Sequence, residues 1–134
     1  MADGSALPTT KFDHPHVTAR GEKRAWVQMM GLETLWLNSG TLCNIACANC
    51  YIESTPTNDA LVYLSLEDSL PYLDEAKEMG TREIGITGGE PFMNPDMLGI
   101  INAALDRDFE VLVLTNAMRP MMRPKIMEGL QEIK

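Results

Sequence analysis

The protein has 134 residues, and 45% of them are hydrophobic. This composition can supply the core of one folded domain and argues against a disordered chain. The formal net charge is −8, without any run of basic residues, so we expect neither a nucleic-acid partner nor docking on an anionic membrane. The sequence has no apolar stretch of roughly 20 residues and no signal-peptide pattern, which predicts a cytoplasmic protein.

The N-terminal part of the chain differs from the rest. Residues 1–20 are polar and include Pro8 and Pro15, which predicts a flexible arm. The composition of residues 22–31 allows an extra strand or hairpin. We therefore assign residues 1–32 to an N-terminal arm and residues 33–134 to the main domain.

The first elements of the main domain are a strand and a helix. Residues 34–38 form a short run of β-branched and aromatic type, which predicts a strand. Ser65 begins a helix, because Asp68 three residues later completes a capping box. Pro71 disturbs that helix by removing one internal hydrogen bond. The alternative is a later start, with Ser69 as the cap.

Two further strands and two further helices follow. Residues 82–87 predict the second strand, and a helix capped by Asn94 then runs to about Arg107. Residues 109–114 are almost all apolar, which favours a strand buried on both faces of a parallel sheet. Residues 124–134 predict the last helix. The order βαβαβα indicates an α/β domain with parallel strands and right-handed crossovers.

The loops after the three strands contain the unusual residues. The first loop has the three cysteines, the second reads Gly88-Gly89-Glu90-Pro91, and the third reads Thr115-Asn116-Ala117. Ligands of parallel α/β sheets bind at the carboxyl ends of the strands. The three loops are therefore predicted to converge on one active site.

Cys43, Cys47 and Cys50 are the only cysteines, and an odd number so close together is a poor basis for disulfides. Three thiolates on one loop are suited to an iron–sulfur cluster and leave one iron without a protein ligand. A zinc site is the alternative, but its fourth ligand would have to be His14 or His16 in the arm. The remaining interpretation, three unrelated core residues, is disfavoured because structural cysteines rarely share one loop.

The motifs together resemble those of the radical S-adenosylmethionine (radical SAM) enzymes. The Cys-x₃-Cys-x₂-Cys loop follows the first strand, and Gly88-Gly89-Glu90-Pro91 resembles the Gly-Gly-Glu-Pro motif after the second. Val113-Leu114-Thr115-Asn116-Ala117 resembles the Thr-Asn-Gly ending of the third strand in many members. The similarity covers roughly residues 33–134. It is strongest to the branch that includes molybdenum-cofactor and peptide-maturation enzymes.

The resemblance implies that Cys43, Cys47 and Cys50 ligate a [4Fe–4S] cluster and that S-adenosylmethionine chelates its remaining iron. In such enzymes the reduced cluster cleaves S-adenosylmethionine to methionine and a 5′-deoxyadenosyl radical, which takes a hydrogen atom from the substrate. An external one-electron donor of flavodoxin or ferredoxin type is the implied partner. No catalytic side chain is predicted beyond the cluster ligands, and the substrate is not predicted.

The resemblance also implies which residues hold the cofactor. Gly88, Gly89, Glu90 and Pro91 would bind the methionine amino end, since glycines permit close backbone approach and Glu90 can accept from an ammonium. Asn116 would contact the cofactor's carboxylate or ribose, or only brace its loop. A turn or helix N-cap explains Asn116 equally well.

The sequence departs from the family pattern in two respects. Asn49 precedes the third cysteine, where the family usually has an aromatic residue, so Tyr51 is the alternative aromatic partner for adenine. The chain supplies about three βα units of a barrel that needs six. We therefore expect a partial (β/α) barrel, from a truncated enzyme or from half of a split one, with strand 3 as an open apolar edge. The alternatives are a non-catalytic iron–sulfur or zinc module and an inactive fragment.

Overall fold

A computed structural model describes residues 14–133 of the chain. The chain divides after Met30 into two compact units, Met1–Met30 and Gly31–Lys134. In the described part of the first unit, Val17 and Lys23 form an isolated antiparallel bridge. This bridge closes a short turn that begins earlier in the chain than the predicted hairpin.

The second unit has three strands and three α-helices in alternation, as predicted. They are β1 (Thr34–Asn38), α1 (Leu66–Glu78), β2 (Glu83–Thr87), a 3₁₀ turn (Pro91–Met93), α2 (Met97–Leu105), β3 (Glu110–Val113) and α3 (Pro124–Glu132). All strands are parallel, in the order β1-β2-β3. No helix in the described part of the chain has the length and apolar character that crossing a bilayer requires.

Helix α1 begins at the predicted capping box. The Ser65 hydroxyl oxygen accepts a hydrogen bond from the backbone N–H of Asp68 at 3.0 Å. The later start at Ser69 is wrong, because Ser69 lies buried inside the helix and donates to the Leu66 carbonyl at 2.7 Å. Pro71 is tolerated within the same helix. The capping box therefore outweighs the hydrogen bond that proline removes.

Helix α2 starts later than predicted, and its N-cap is Asp96 and not Asn94. Asn94 ends the preceding 3₁₀ turn, and its buried side chain donates to the carbonyl oxygens of Leu64 at 2.8 Å and Ser39 at 3.3 Å. The amide nitrogen of Asn94 thus contacts distant segments, while its oxygen accepts locally from the N–H of Asp96 at 2.9 Å. Helix α2 ends at Leu105, two residues before the predicted end.

The sheet has one covered face and one open face. Its covered face packs against the helices, and the core includes Leu37, Leu73, Ile84, Ile86, Met97, Ile100, Ile101 and Ala104. On the other face Trp36, Leu112 and Leu114 are 48%, 42% and 50% exposed. The prediction that the third strand is buried on both faces is therefore wrong for this chain, since no described element covers that side. The open edge expected of a partial barrel is confirmed.

Candidate active site

The cysteine loop and the Gly-Gly loop are hydrogen-bonded to each other beyond the ends of their strands. The backbone N–H of Gly89 donates to the Gly40 carbonyl at 2.8 Å, and the N–H of Glu90 donates to the Leu42 carbonyl at 3.0 Å. These bonds extend the pairing of β1 with β2 up to the residue before Cys43. The first two predicted site loops therefore lie together at the carboxyl edge of the sheet.

Both glycines of the second loop are required by this close packing. A Cβ at Gly89 would lie 2.1 Å from the Leu42 carbonyl oxygen, and a Cβ at Gly88 would lie 2.5 Å from Ser39 Oγ. Gly88 also has a φ of +138°, which other residues rarely adopt. The absence of side chains at Gly88 and Gly89 therefore allows the cysteine loop to pack closely against this turn.

The three cysteines differ in exposure. Cys43 is buried, Cys50 is partly exposed and Cys47 is exposed. The backbone N–H of Cys43 donates to the Thr55 carbonyl at 3.1 Å, and that of Cys50 donates to the Cys47 carbonyl at 3.2 Å. Among residues 14–133 no three His, Cys, Asp or Glu side chains are grouped tightly enough to hold one metal ion. The loop thus presents three free thiols that range from buried to exposed.

The sulfur of Cys50 accepts hydrogen bonds from the backbone that follows it. The N–H of Ser54 donates to Cys50 Sγ at 3.3 Å. This bond is the main reason that the pKa of the Cys50 thiol is lowered from its usual value, and a smaller contribution comes from a bond with the Ile52 backbone. The loop therefore favours the thiolate, which is the form that binds metals.

Glu90 connects the second loop to the third. Its carboxylate is buried, with the residue 1% exposed, and it accepts from the Phe92 N–H at 3.1 Å and the Asn116 N–H at 2.9 Å. The Thr115 hydroxyl lies 2.8 and 2.9 Å from its two oxygens. Thr115 was not among the predicted site residues, although its place directly after a strand was a usable signal.

Asn116 lies between Glu90 and the cysteine loop. Its Nδ2 donates to Asn44 Oδ1 at 2.9 Å and lies 3.8 Å from Cys43 Sγ, while its Oδ1 accepts from the Met118 N–H at 3.0 Å. All three predicted site loops are therefore joined by direct hydrogen bonds. Asn44 was missed by the sequence analysis, because nothing in its position distinguishes it from other polar loop residues.

An exposed aromatic residue and an open depression complete the site. The Tyr51 hydroxyl lies 3.1 Å from Thr87 Oγ1 at the end of β2. This contact holds Tyr51 beside the strand end although the residue is 77% exposed. A depression of about 580 Å³ adjoins the cysteine loop. Its lining includes Asn44, Ile45, Met93, Met118, Arg119 and Arg123. The edge of the sheet therefore offers both an aromatic surface and space for a ligand.

Comparison with known proteins identifies the family. The model of the radical SAM superfamily matches residues 37–134. The chain belongs to the radical SAM superfamily. This family implies a [4Fe–4S] cluster and S-adenosylmethionine as cofactors. The residues fit that pair, because three thiols share one loop and the sulfurs of Cys43 and Cys50 each have an N–H donor within reach.

Several curated relatives are similar to part of the chain. The subtilosin biosynthesis protein AlbA of Bacillus subtilis is 36% identical over 92 residues, which are 69% of this chain and 20% of that protein. The S-adenosylmethionine-dependent nucleotide dehydratase of Selenomonas ruminantium is 34% identical over 63% of this chain and 30% of its own length. The GTP 3′,8-cyclase of Desulforamulus reducens is 31% identical over 57% of this chain and 24% of its own length. The chain thus spans less than a third of these relatives.

Solved structures share the fold. Streptococcus suis SuiB, in a crystal structure with S-adenosylmethionine bound, superposes with a TM-score of 0.66 over 78% of this chain and 23% of that one. The sequence identity is 22%. The similarity shows that this chain shares its α/β fold with about a quarter of the SuiB chain.

Proposed function

We propose that this chain is the cofactor-binding part of a radical SAM enzyme, with Cys43, Cys47 and Cys50 as the ligands of a [4Fe–4S] cluster. One observation carries the proposal: the thiol loop, the Gly-Gly loop and the Thr-Asn loop are joined by hydrogen bonds at the carboxyl edge of one parallel sheet. That edge is where α/β folds of this kind bind their ligands.

The number of thiols supports a cluster over a single zinc ion, because three cysteines share the loop and structural zinc needs four ligands. A cluster offers each thiolate a different iron, so its ligands stand further apart than the ligands of one zinc ion. Cys47 and Cys50 are accessible to an incoming cluster, while Cys43 lies at the buried end of the loop. The non-catalytic zinc module is the second candidate, and it would need a fourth ligand besides the three cysteines.

The second loop is proposed to hold S-adenosylmethionine through its backbone. Gly88, Gly89, Glu90 and Pro91 border the cysteine loop, but the Glu90 carboxylate is already occupied by Phe92, Thr115 and Asn116. Backbone carbonyls of this loop are therefore the proposed acceptors for the methionine ammonium group. Asn116 is proposed to close the same site from the third loop. When bound, the two cofactors supply reductive cleavage to a 5′-deoxyadenosyl radical.

Substrate and partners follow only in part from these observations. The relatives include a bacteriocin biosynthesis protein, a nucleotide dehydratase and a GTP cyclase, so no single substrate class is assigned. We propose an external one-electron donor of flavodoxin or ferredoxin type. We also propose that further barrel strands, from the same or a second polypeptide, cover β3 and the open face with Leu112 and Leu114. A reducing cytoplasm suits three free thiols.

The domain organisation is part of the same proposal. We propose that residues 33–134 form the radical SAM domain and that residues 1–32 form an arm without a part in the cluster site. The match of the family model to residues 37–134 supports this division.

Anaerobic reconstitution with iron and sulfide tests the function. The expected product is a brown protein with about four iron and four sulfide per chain, whose reduced EPR signal changes when S-adenosylmethionine is added. Cys47→Ala should abolish cluster uptake, whereas Asn49→Ala, at an exposed position of the same loop, should retain it. Stoichiometric zinc without sulfide, or full cluster loading of Cys47→Ala, would overturn the proposal.

A further inference from the structure

The side-chain amide of Asn116 has a fixed orientation. The backbone N–H of Met118 is a donor, so the atom of Asn116 that lies 3.0 Å from it must be the oxygen. The nitrogen Nδ2 consequently faces the cysteine loop. Its two hydrogens can serve two acceptors, Asn44 Oδ1 at 2.9 Å and Cys43 Sγ at 3.8 Å.

The backbone of Asn116 is held as firmly as its side chain. Its N–H donates to Glu90 Oε2 at 2.9 Å, and the Glu90 carboxylate is buried and bound to Thr115 as well. The amide is therefore positioned by the protein before any cofactor arrives. Cys43 is the buried cysteine of the three, so little solvent competes for its sulfur.

We propose that Asn116 is a positioning residue that donates a hydrogen bond to the sulfur of Cys43 and thereby raises the reduction potential of the cluster. This inference rests on the proposed function, in which Cys43 is a ligand. Reduction adds negative charge to a cluster and its thiolates. A donor to a ligating sulfur stabilises the reduced state more than the oxidised state, which is a recognised means of tuning such potentials.

Two substitutions of Asn116 separate this role from a merely structural one. Asn116→Asp retains the size and the acceptor for Met118, but it replaces the donor with a negative charge. Asn116→Ala removes the donor without adding charge. We expect both to lower the midpoint potential in an EPR-monitored redox titration, with the larger change in Asn116→Asp. The expected change for Asn116→Asp is at least tenfold in the ratio of reduced to oxidised cluster, or about 59 mV for one electron.

Asn102→Asp is the matched control, since it adds the same charge at an exposed position on α2. In Asn102→Asp, the ratio of reduced to oxidised cluster at a given potential should stay within threefold of the wild-type ratio. A shift as large as that of Asn116→Asp would assign the effect to general charge and overturn the proposal. Wild-type potentials in both Asn116 variants would also overturn it, while the proposed function would stand.

A measurement on chains that keep Asn116 covers the case in which the Asn116 variants fail to load iron. An Asn44→Ser, Asn49→Ser protein, labelled with ¹⁵N only at the side-chain amide of asparagine, should show a ¹⁵N coupling to the reduced cluster in pulsed EPR. Absence of that coupling would overturn the role of Asn116. Failure of the wild-type chain to bind any cluster would instead refute the proposed function itself.

Discussion

The buried carboxylate of Glu90 and the hydroxyl of Thr115 are joined by a hydrogen bond of 2.8 Å between the loops that follow β2 and β3. Glu90→Ala removes the acceptor for Thr115 and for the N–H groups of Phe92 and Asn116. We expect a loss of about 3 kcal/mol in the free energy of unfolding, measured with urea. Glu90→Gln retains the shape, but its amide nitrogen must face the N–H of either Phe92 or Asn116, so it should lose about 2 kcal/mol.

Glu110→Gln is the control for Glu90. Glu110 lies on β3 with a side chain that is 72% exposed, and its only ion pair, with Arg82, is 3.8 Å long among the described residues. A solvent-exposed pair of this kind contributes little, so the change should stay within about 0.5 kcal/mol. Equal losses in Glu90→Gln and Glu110→Gln would show that the buried position of Glu90 has no special role.

Gly89→Ala should separate the cysteine loop from the Gly-Gly loop. The new Cβ would lie 2.1 Å from a backbone oxygen, that of Leu42, and a backbone cannot move aside as a flexible side chain can. We expect a loss of more than about 2 kcal/mol of stability together with reduced cluster uptake. Gly31→Ala is the control, since nothing lies within 4 Å of its Cβ position. A Gly89→Ala protein as stable as Gly31→Ala would contradict the packing of the two loops.

Ala117 has a left-handed backbone, with a φ of +54°. An alanine in this conformation costs about 1–2 kcal/mol, whereas glycine adopts it freely. Ala117→Gly should therefore raise the thermal midpoint, with a net gain of about 0.5 kcal/mol after the entropy of glycine is subtracted. Ala60→Gly, at an exposed loop position without positive φ, should instead lower it. A lower midpoint in both variants would argue against strain at Ala117.

Cys50 should ionise at a lower pH in the folded chain than in the unfolded chain, because the Ser54 backbone lowers its pKa. In a Cys43→Ser, Cys47→Ser protein, the pH of half-maximal iodoacetamide labelling should rise when guanidinium unfolds the chain. The sign for stability follows from this direction. The Cys50 thiolate contributes fully to the stability of the fold above the unfolded pKa of about 8.5. This contribution is lost as the pH falls through the lower pKa of the folded chain. Identical labelling profiles would contradict the prediction.

The arrangement of elements was predictable because each depends on local signals. Helix α1 begins at the capping box of Ser65 and Asp68 even though Pro71 lies within it. The first strand has the predicted bounds. Asn94 accepts from the N–H of Asp96 as a cap would, but its Nδ2 is bonded to Ser39 and Leu64, which are distant in sequence, and α2 begins only at Met97. Local propensity cannot anticipate a side chain that long-range contacts recruit.

The candidate site was predictable as a set of loops but not as a network. Parallel strands bring the cysteines, the Gly-Gly turn and Asn116 to one edge, and sequence patterns are sufficient to infer that. Which partner each polar group selects depends on side-chain geometry. The Glu90 carboxylate faces Thr115 and Asn116, and this preference has no signature in the sequence.

The two sides of the sheet are subject to different demands. Ile84 and Ile86 pack tightly against the helices, so the loss of even one methyl group there lowers the stability of the fold. On the other side Trp36 packs over Gly85, whereas Leu112 and Leu114 have no such neighbours in the described chain and contribute little to its folding. Substitutions that alter recognition are therefore tolerated best at Leu112 and Leu114, because they leave the three loops at the strand ends unchanged.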